Sequence, residues 1–126
     1  MDNNKLVEQY WAYMDSGQFD KAGACMAVDA AVFFSNTREV FRSRDAFVVF
    51  NKKYPGKWSI GIEKLVAMDD TVITAVRVVS DDGEASFYAT SFFTIKDGLI
   101  REITEYWGEN SEPPPWRQKD SLSERY

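Results

Sequence analysis

Apolar side chains recur along this chain with two different periods, and the change falls near Ala30. Before it, Leu6, Tyr10, Tyr13 and Met14 return at three- and four-residue spacing, the signature of one buried helical face. Asp2 to Asn4 supply caps for a helix beginning near Lys5, and Gly17 ends it after Asp15-Ser16. Phe19 to Met26 predicts a second, short helix. Neither is long enough to be stable alone, so both should lie on a sheet.

From Ala30 the pattern turns strand-like. Val32-Phe33-Phe34 is a strand, Asn36-Thr37 a turn, and Glu39-Val40-Phe41 the return strand. A third helix is expected over 45–53, with Phe47 and Phe50 on one side, stopped by Pro55-Gly56. Four strands follow: Trp58–Met68, Thr71–Ser80, Ala85–Lys96 and Leu99–Trp107. Asp69-Asp70, Asp82-Gly83 and Asp97-Gly98 supply the turns. Helices first and a long antiparallel meander last define an α+β domain, not a doubly wound parallel sheet. Residues 1–112 are expected to form one domain. Residues 113–126, opening on Pro113-Pro114-Pro115 and Trp116, are a Pro-rich extension that packs on the surface or stays disordered.

Composition narrows the possible chemistry. The 126 residues suit one domain with a real core. Aromatic residues make up 15% of the chain, enough for a core and also for a pocket that holds flat or greasy molecules. The net charge of −5, without a basic cluster, argues against nucleic acid and anionic membrane as partners. Histidine is absent and Cys25 is the single cysteine, which excludes His-dependent nucleophile systems, an intrachain disulfide and a multi-cysteine metal site. Asp69-Asp70 and Asp81-Asp82 sit in turns, where solvated charge explains them, so no metal and no cofactor is expected. The polar N-terminus and the lack of a long apolar run point to the cytoplasm.

The two-residue turn at Asp97-Gly98 sets a register for the last hairpin, provided no bulge intervenes. Phe92 then faces Ile103, Thr90 faces Glu105 and Tyr88 faces Trp107, all on one surface. The other face carries Phe87, Ala89, Phe93, Ile95, Ile100, Thr104 and Tyr106, with Glu102. Both are largely apolar, so both need cover: helices on one, a second subunit or the Trp116 tail on the other. A homodimer through the Phe87–Tyr106 face is the expectation. Glu105 stands out as a carboxylate among apolar groups, and Arg77, between Val76 and Val78, is the candidate cation beside it. Either the two satisfy only each other, or Glu105 is a working acid, base or ligand anchor.

These residues carry a family resemblance. The opening Leu6-Val7-Glu8-Gln9-Tyr10-Trp11, the entry Asp29-Ala30-Ala31-Val32, and the ending Lys96-Asp97-Gly98-Leu99-Ile100 with Glu105-Tyr106-Trp107-Gly108 resemble the nuclear transport factor 2-like superfamily. The match is to its small bacterial SnoaL-like and ketosteroid-isomerase-like members, over about residues 5–108. The resemblance implies a cystatin-like, cone-shaped barrel: three helices against a strongly curved, mixed but mainly antiparallel sheet, a deep pocket, and frequent dimerisation. It also implies that Tyr10 corresponds to a carbonyl-polarising tyrosine. The general-base position falls at about Phe34, and the second oxyanion donor near Thr90 or Phe92, so steroid isomerase chemistry is broken at two of three positions. SnoaL-like cyclases use histidines, and none is present; Glu105 with Arg77 only partly echoes the Asp-Arg-Asp set of epoxide hydrolases.

Three functions remain open at this point. One is a cofactor-independent isomerase, cyclase, dehydratase or hydrolase with Glu105, Tyr10 and Arg77 as its catalytic groups. Its pocket would be lined by Tyr88, Thr90, Phe92, Ile103, Trp107, Phe34 and Trp58, and its substrate would be a small apolar or aromatic molecule. The second is a non-catalytic module that binds such a molecule. The third is an assembly domain that works through its outer sheet face.

Overall fold

The computed structural model describes residues 2–126. Helix α1 spans Asn3–Asp15, with Asp2 Oδ1 accepting from the Lys5 N–H at 2.8 Å as its N-cap. It buries Leu6, Val7, Tyr10 and Trp11 and lies on the sheet. Helix α2 is shorter than the sequence suggests: it covers Phe19–Ala24. Met26 instead opens strand β1, Met26–Phe34, because its backbone pairs with the last strand and its side chain is fully buried. After β2 (Glu39–Phe41) comes α3 (Arg44–Lys53), where Ser43 Oγ accepts from the Ala46 N–H at 3.1 Å. The remaining strands are β3 (Trp58–Met68), β4 (Thr71–Ser80), β5 (Ser86–Lys96) and β6 (Leu99–Glu109). A four-residue helix, α4 (Pro115–Gln118), lies in the Pro-rich extension, where Trp116 is exposed.

The strands form one six-stranded sheet in the order β2-β1-β6-β5-β4-β3. Every pair is antiparallel except β1 with β6. The sheet is α+β and mixed, curved as in a cone, and it does not close into a barrel: β2 and β3 remain as edges. Its concave face and the helices enclose a core that includes Val7, Tyr10, Val32, Val72, Val76, Phe93, Ile95, Ile100 and Ile103. At about 1.5–3 kcal/mol per fully buried large apolar side chain, this core is the main favourable contribution to folding. Among the described residues, no helix is long and apolar enough to cross a membrane.

The turn at Asp97-Gly98 forms as expected, with Lys96 opposite Leu99. The register then slips. Ile95 faces Ile100, but Thr94 faces Glu102, so Arg101 is an extra residue, a β-bulge. Beyond it Phe93 faces Ile103, Ser91 faces Glu105 and Ala89 faces Trp107. One extra residue moves the β5 partners to the opposite face. Tyr88, Thr90 and Phe92 therefore lie on the outer face, away from Glu105, and the expectation that they line a pocket with it is corrected. Ala89, Phe93 and Ile95, expected on the dimer face, are core. Arg77 is corrected as well. Val76 and Val78 are buried, so Arg77 between them points outward, opposite Tyr88, and it is exposed. It forms no pair with Glu105.

Candidate functional site

A cavity of about 830 Å³ opens between the helices and the concave face. Its floor and walls come from β6 (Glu105, Trp107), β1 (Phe34) and the end of α1 (Trp11, Met14). Helix α3 adds Phe47 and Phe50, and β3 to β5 add Trp58, Val78 and Phe87. Of the residues expected to line a pocket, Phe34, Trp58 and Trp107 do so. Ile103 is fully buried one step below, in the core.

The aromatic rings support one another. Phe34 meets Trp107 at 4.9 Å, Phe41 at 4.9 Å and Phe50 at 5.5 Å between centroids, mostly edge to face. The chain continues from Phe50 to Tyr54 at 5.7 Å, Trp58 at 5.9 Å and Phe87 at 5.8 Å. Trp107 is pinned through its backbone: Asn36 Nδ2 donates to the Trp107 carbonyl at 2.8 Å, and the Trp107 N–H donates to Asn36 Oδ1 at 2.9 Å. Trp58 Nε1 donates to the Pro55 carbonyl at 2.9 Å, turning its ring beside the mouth. Phe47, Phe50 and Phe87 have their place here because the third helix and the start of β5 face the same opening. Their helical spacing and β alternation carry that signal only once the packing partner is known.

Across the inner face a polar row interrupts the apolar core. Register places Thr74 of β4, Ser91 of β5 and Glu105 of β6 directly opposite one another, and all are buried. Trp11 Nε1 donates to Thr74 Oγ1 at 3.1 Å, and Ser91 Oγ donates to Glu105 Oε2 at 3.2 Å. Ser91 was not singled out from sequence, since the bulge hides its position opposite Glu105. Burial pushes the Glu105 carboxyl up to about 7, and the Ser91 hydrogen bond only partly offsets it. Among the described residues no donor reaches Oε1, and Glu105 lines the cavity.

Tyr10 sits behind this row. Its ring packs edge to face on Trp11 and Phe93 at 5.1 and 5.5 Å, and its buried hydroxyl has no partner among the described residues. Burial raises its pKa well above the usual value, with smaller contributions from the charges of Glu105 and Cys25. Tyr10 is thus within electrostatic reach of Glu105, yet it is not part of the cavity wall. Among the described residues no cluster of side chains suits a metal ion.

The chain is thus a curved sheet backed by helices, with the Glu105 carboxyl at the base of an aromatic cavity. The model of the SnoaL-like domain matches residues 7–103, and the chain belongs to that family. Its fold is similar to that of a candidate ketosteroid isomerase from Kribbella flavida, at 27% identity and a TM-score of 0.83 over 97% of this chain and 87% of that one. A nuclear transport factor 2-like protein of unknown function from Burkholderia xenovorans gives 18% identity and a TM-score of 0.83, covering 98% and 94% of the two chains. An LEH-like epoxide hydrolase from M. tuberculosis gives 17% and 0.71, covering 82% and 80%. No curated protein matches. The activities named among these folds differ, so the fold alone does not select one.

Proposed function

We propose that the cavity binds a small, mostly apolar molecule and that Glu105 exchanges a proton with it, in cofactor-independent chemistry of the isomerase, cyclase or hydratase type. The observation that carries this reading is a buried carboxyl titrating near neutrality, with one oxygen held by Ser91 and the other turned to an aromatic cavity. A group poised near the working pH serves both as acid and as base. The rings of Phe34, Trp107 and Trp58 supply flat apolar contact, while Ser91 holds the carboxyl in place. Arg77, on the outer face, is left out of the reaction. Tyr10, outside the cavity wall and with its hydroxyl unpartnered among the described residues, is left out of the reaction as well.

A non-catalytic binding role is the second reading. It is favoured by one feature: among the described residues Glu105 is the one buried titratable side chain lining the cavity, while Asp15, Lys52, Tyr54, Lys57, Glu84 and Glu109 are all exposed. In either case residues 1–112 form the working domain, 113–126 are an extension, the protein is cytoplasmic, and it dimerises through the outer sheet face.

Hydrogen exchange separates the two. Cyclohex-2-enone in D₂O should lose its α-protons faster with the wild type than with Glu105→Gln, by at least about tenfold, roughly 1.4 kcal/mol. The enhancement should grow as pH rises through about 7, where Glu105 becomes a base. Equal rates with bound enone in both proteins would leave binding alone.

A further inference from the structure

We propose that the molecule this pocket takes is a small apolar amine in its protonated form, its ammonium paired with Glu105 and its apolar part against the aromatic wall. The inference rests on the reading of the cavity as a ligand site anchored at Glu105, and it names the ligand's chemical class.

Glu105 is 8% exposed, and what little is exposed opens on the cavity. Among the described residues, its one protein donor is the neutral hydroxyl of Ser91. A buried carboxylate is ordinarily matched by a cation, because an uncompensated charge in a low-dielectric site is costly. Among the described residues, the only cations lining the cavity are Lys52 and Lys57, both exposed at its rim, and Lys52 is held by Asp20 at 3.0 Å. The compensating charge is therefore missing from the protein and fits the ligand.

The walls suit the same ligand. Phe34, Phe50, Trp58, Phe87 and Trp107 surround the opening with π-systems, which attract an ammonium or its polarised N–CH groups as well as an apolar body. The rim carries Asp15, Glu84 and Glu109 as well as the two lysines. With Lys52 neutralised by Asp20, the local field favours a cation, as does the chain's net charge of −5. A carboxylate or phosphate ligand meets the opposite: among the described residues no arginine and no histidine lines the cavity.

The pairing has a pH signature. Among the described residues, the titratable and charged groups facing Glu105 and its cavity are Tyr10 and Asp15 of α1, Cys25 after α2, Lys52 of α3, Tyr54, Lys57, Glu84, and Glu109 of β6. Of these, Tyr10 and Cys25 are shifted upward by burial, away from neutrality. Glu105 is the group that changes state near 7. An ammonium binds its ionised form, so affinity is full above that pH and falls below it.

Benzylamine and benzyl alcohol, nearly identical in shape, test this by calorimetry on the full chain. The amine should bind at least about tenfold tighter than the alcohol at about pH 8, and the advantage should shrink toward about pH 6. In Glu105→Gln the two should bind alike, and retained alcohol binding shows that the pocket is intact. Equal affinities in the wild type would overturn the amine proposal while leaving the apolar pocket standing. A preference that persists in Glu105→Gln, or that ignores pH, would overturn it too. Binding of neither probe would overturn it together with the pocket reading on which it rests.

Discussion

Glu105 stores its protonation state in the stability of the fold. Its carboxyl is raised from an ordinary 4.5 to about 7, so between these values the folded protein binds more protons than the unfolded chain. Stability from this group is therefore fully present below about 4.5, falls as pH rises, and levels off above about 7. The loss is of order 3 kcal/mol. Chemical denaturation of the wild type and Glu105→Gln at pH 5 and pH 8 should show the variant gaining on the wild type at the higher pH; a constant difference would contradict it. Ser91→Ala should move the Glu105 midpoint further up, because the hydroxyl's hydrogen bond favours the charged form. Carboxyl NMR titration reads that directly. At this scale the sequence was partly legible. Glu105 stood out as a carboxylate flanked by apolar and aromatic groups, and its side chain is buried among them. Arg77 was misjudged: the alternation Val72, Thr74, Val76, Val78 sends the even positions inward, so Arg77 had to face out. Pairing opposite charges across strands ignored that phase.

Between elements, two contacts should be sensitive to small changes. A Cβ at Gly23 of α2 would lie 2.7 Å from Val48 Cγ2 of α3, and a β-branched side chain has little freedom to retreat. Gly23→Ala should cost about 1–3 kcal/mol by overpacking, and Val48→Ala should recover part of it, a coupling that a double-mutant cycle measures. Thr74→Val should leave the buried Trp11 indole N–H without its acceptor and cost about 1–3 kcal/mol, seen as a lower denaturation midpoint at unchanged slope. Element boundaries were read well where turn residues mark them, as at both ends of β3 and β4. The bulge was not read. Its surroundings include partners distant in sequence: the Ile95 N–H donates to the Asp70 carbonyl at 2.8 Å, and Arg101 reaches Asp29. One local sign existed. Ile100 and Ile103 are both fully buried three positions apart, whereas strict alternation permits only even spacing.

On the scale of the whole molecule, the slipped register leaves an aromatic outer face. Tyr88, Phe92 and Tyr106 are 42%, 40% and 50% exposed, and the Phe92 and Tyr106 rings meet at 6.0 Å. In the proposed dimer this face is the seam, so Tyr106→Glu should convert a dimer to a folded monomer at micromolar concentration. Sedimentation velocity checks it, and a wild-type monomer would sink the dimer. The helices-then-meander order and the hairpin at Asp97-Gly98 were legible from periodicity, but the neighbour of β1 was not, since nothing local announces a parallel partner. That pairing also governs how the chain is made. Asn36 and Trp107, which lock β1 to β6, are 71 residues apart. On the ribosome, β1 and β2 emerge early and must wait for the last strand before they can join the sheet. β3, β4 and β5 can zip into a meander meanwhile. Contacts this distant slow folding. A nascent chain stalled before residue 99 holds Val32, Phe33 and Phe34 without their β6 partner, and in that interval it is open to capture by a chaperone or by another unfinished copy.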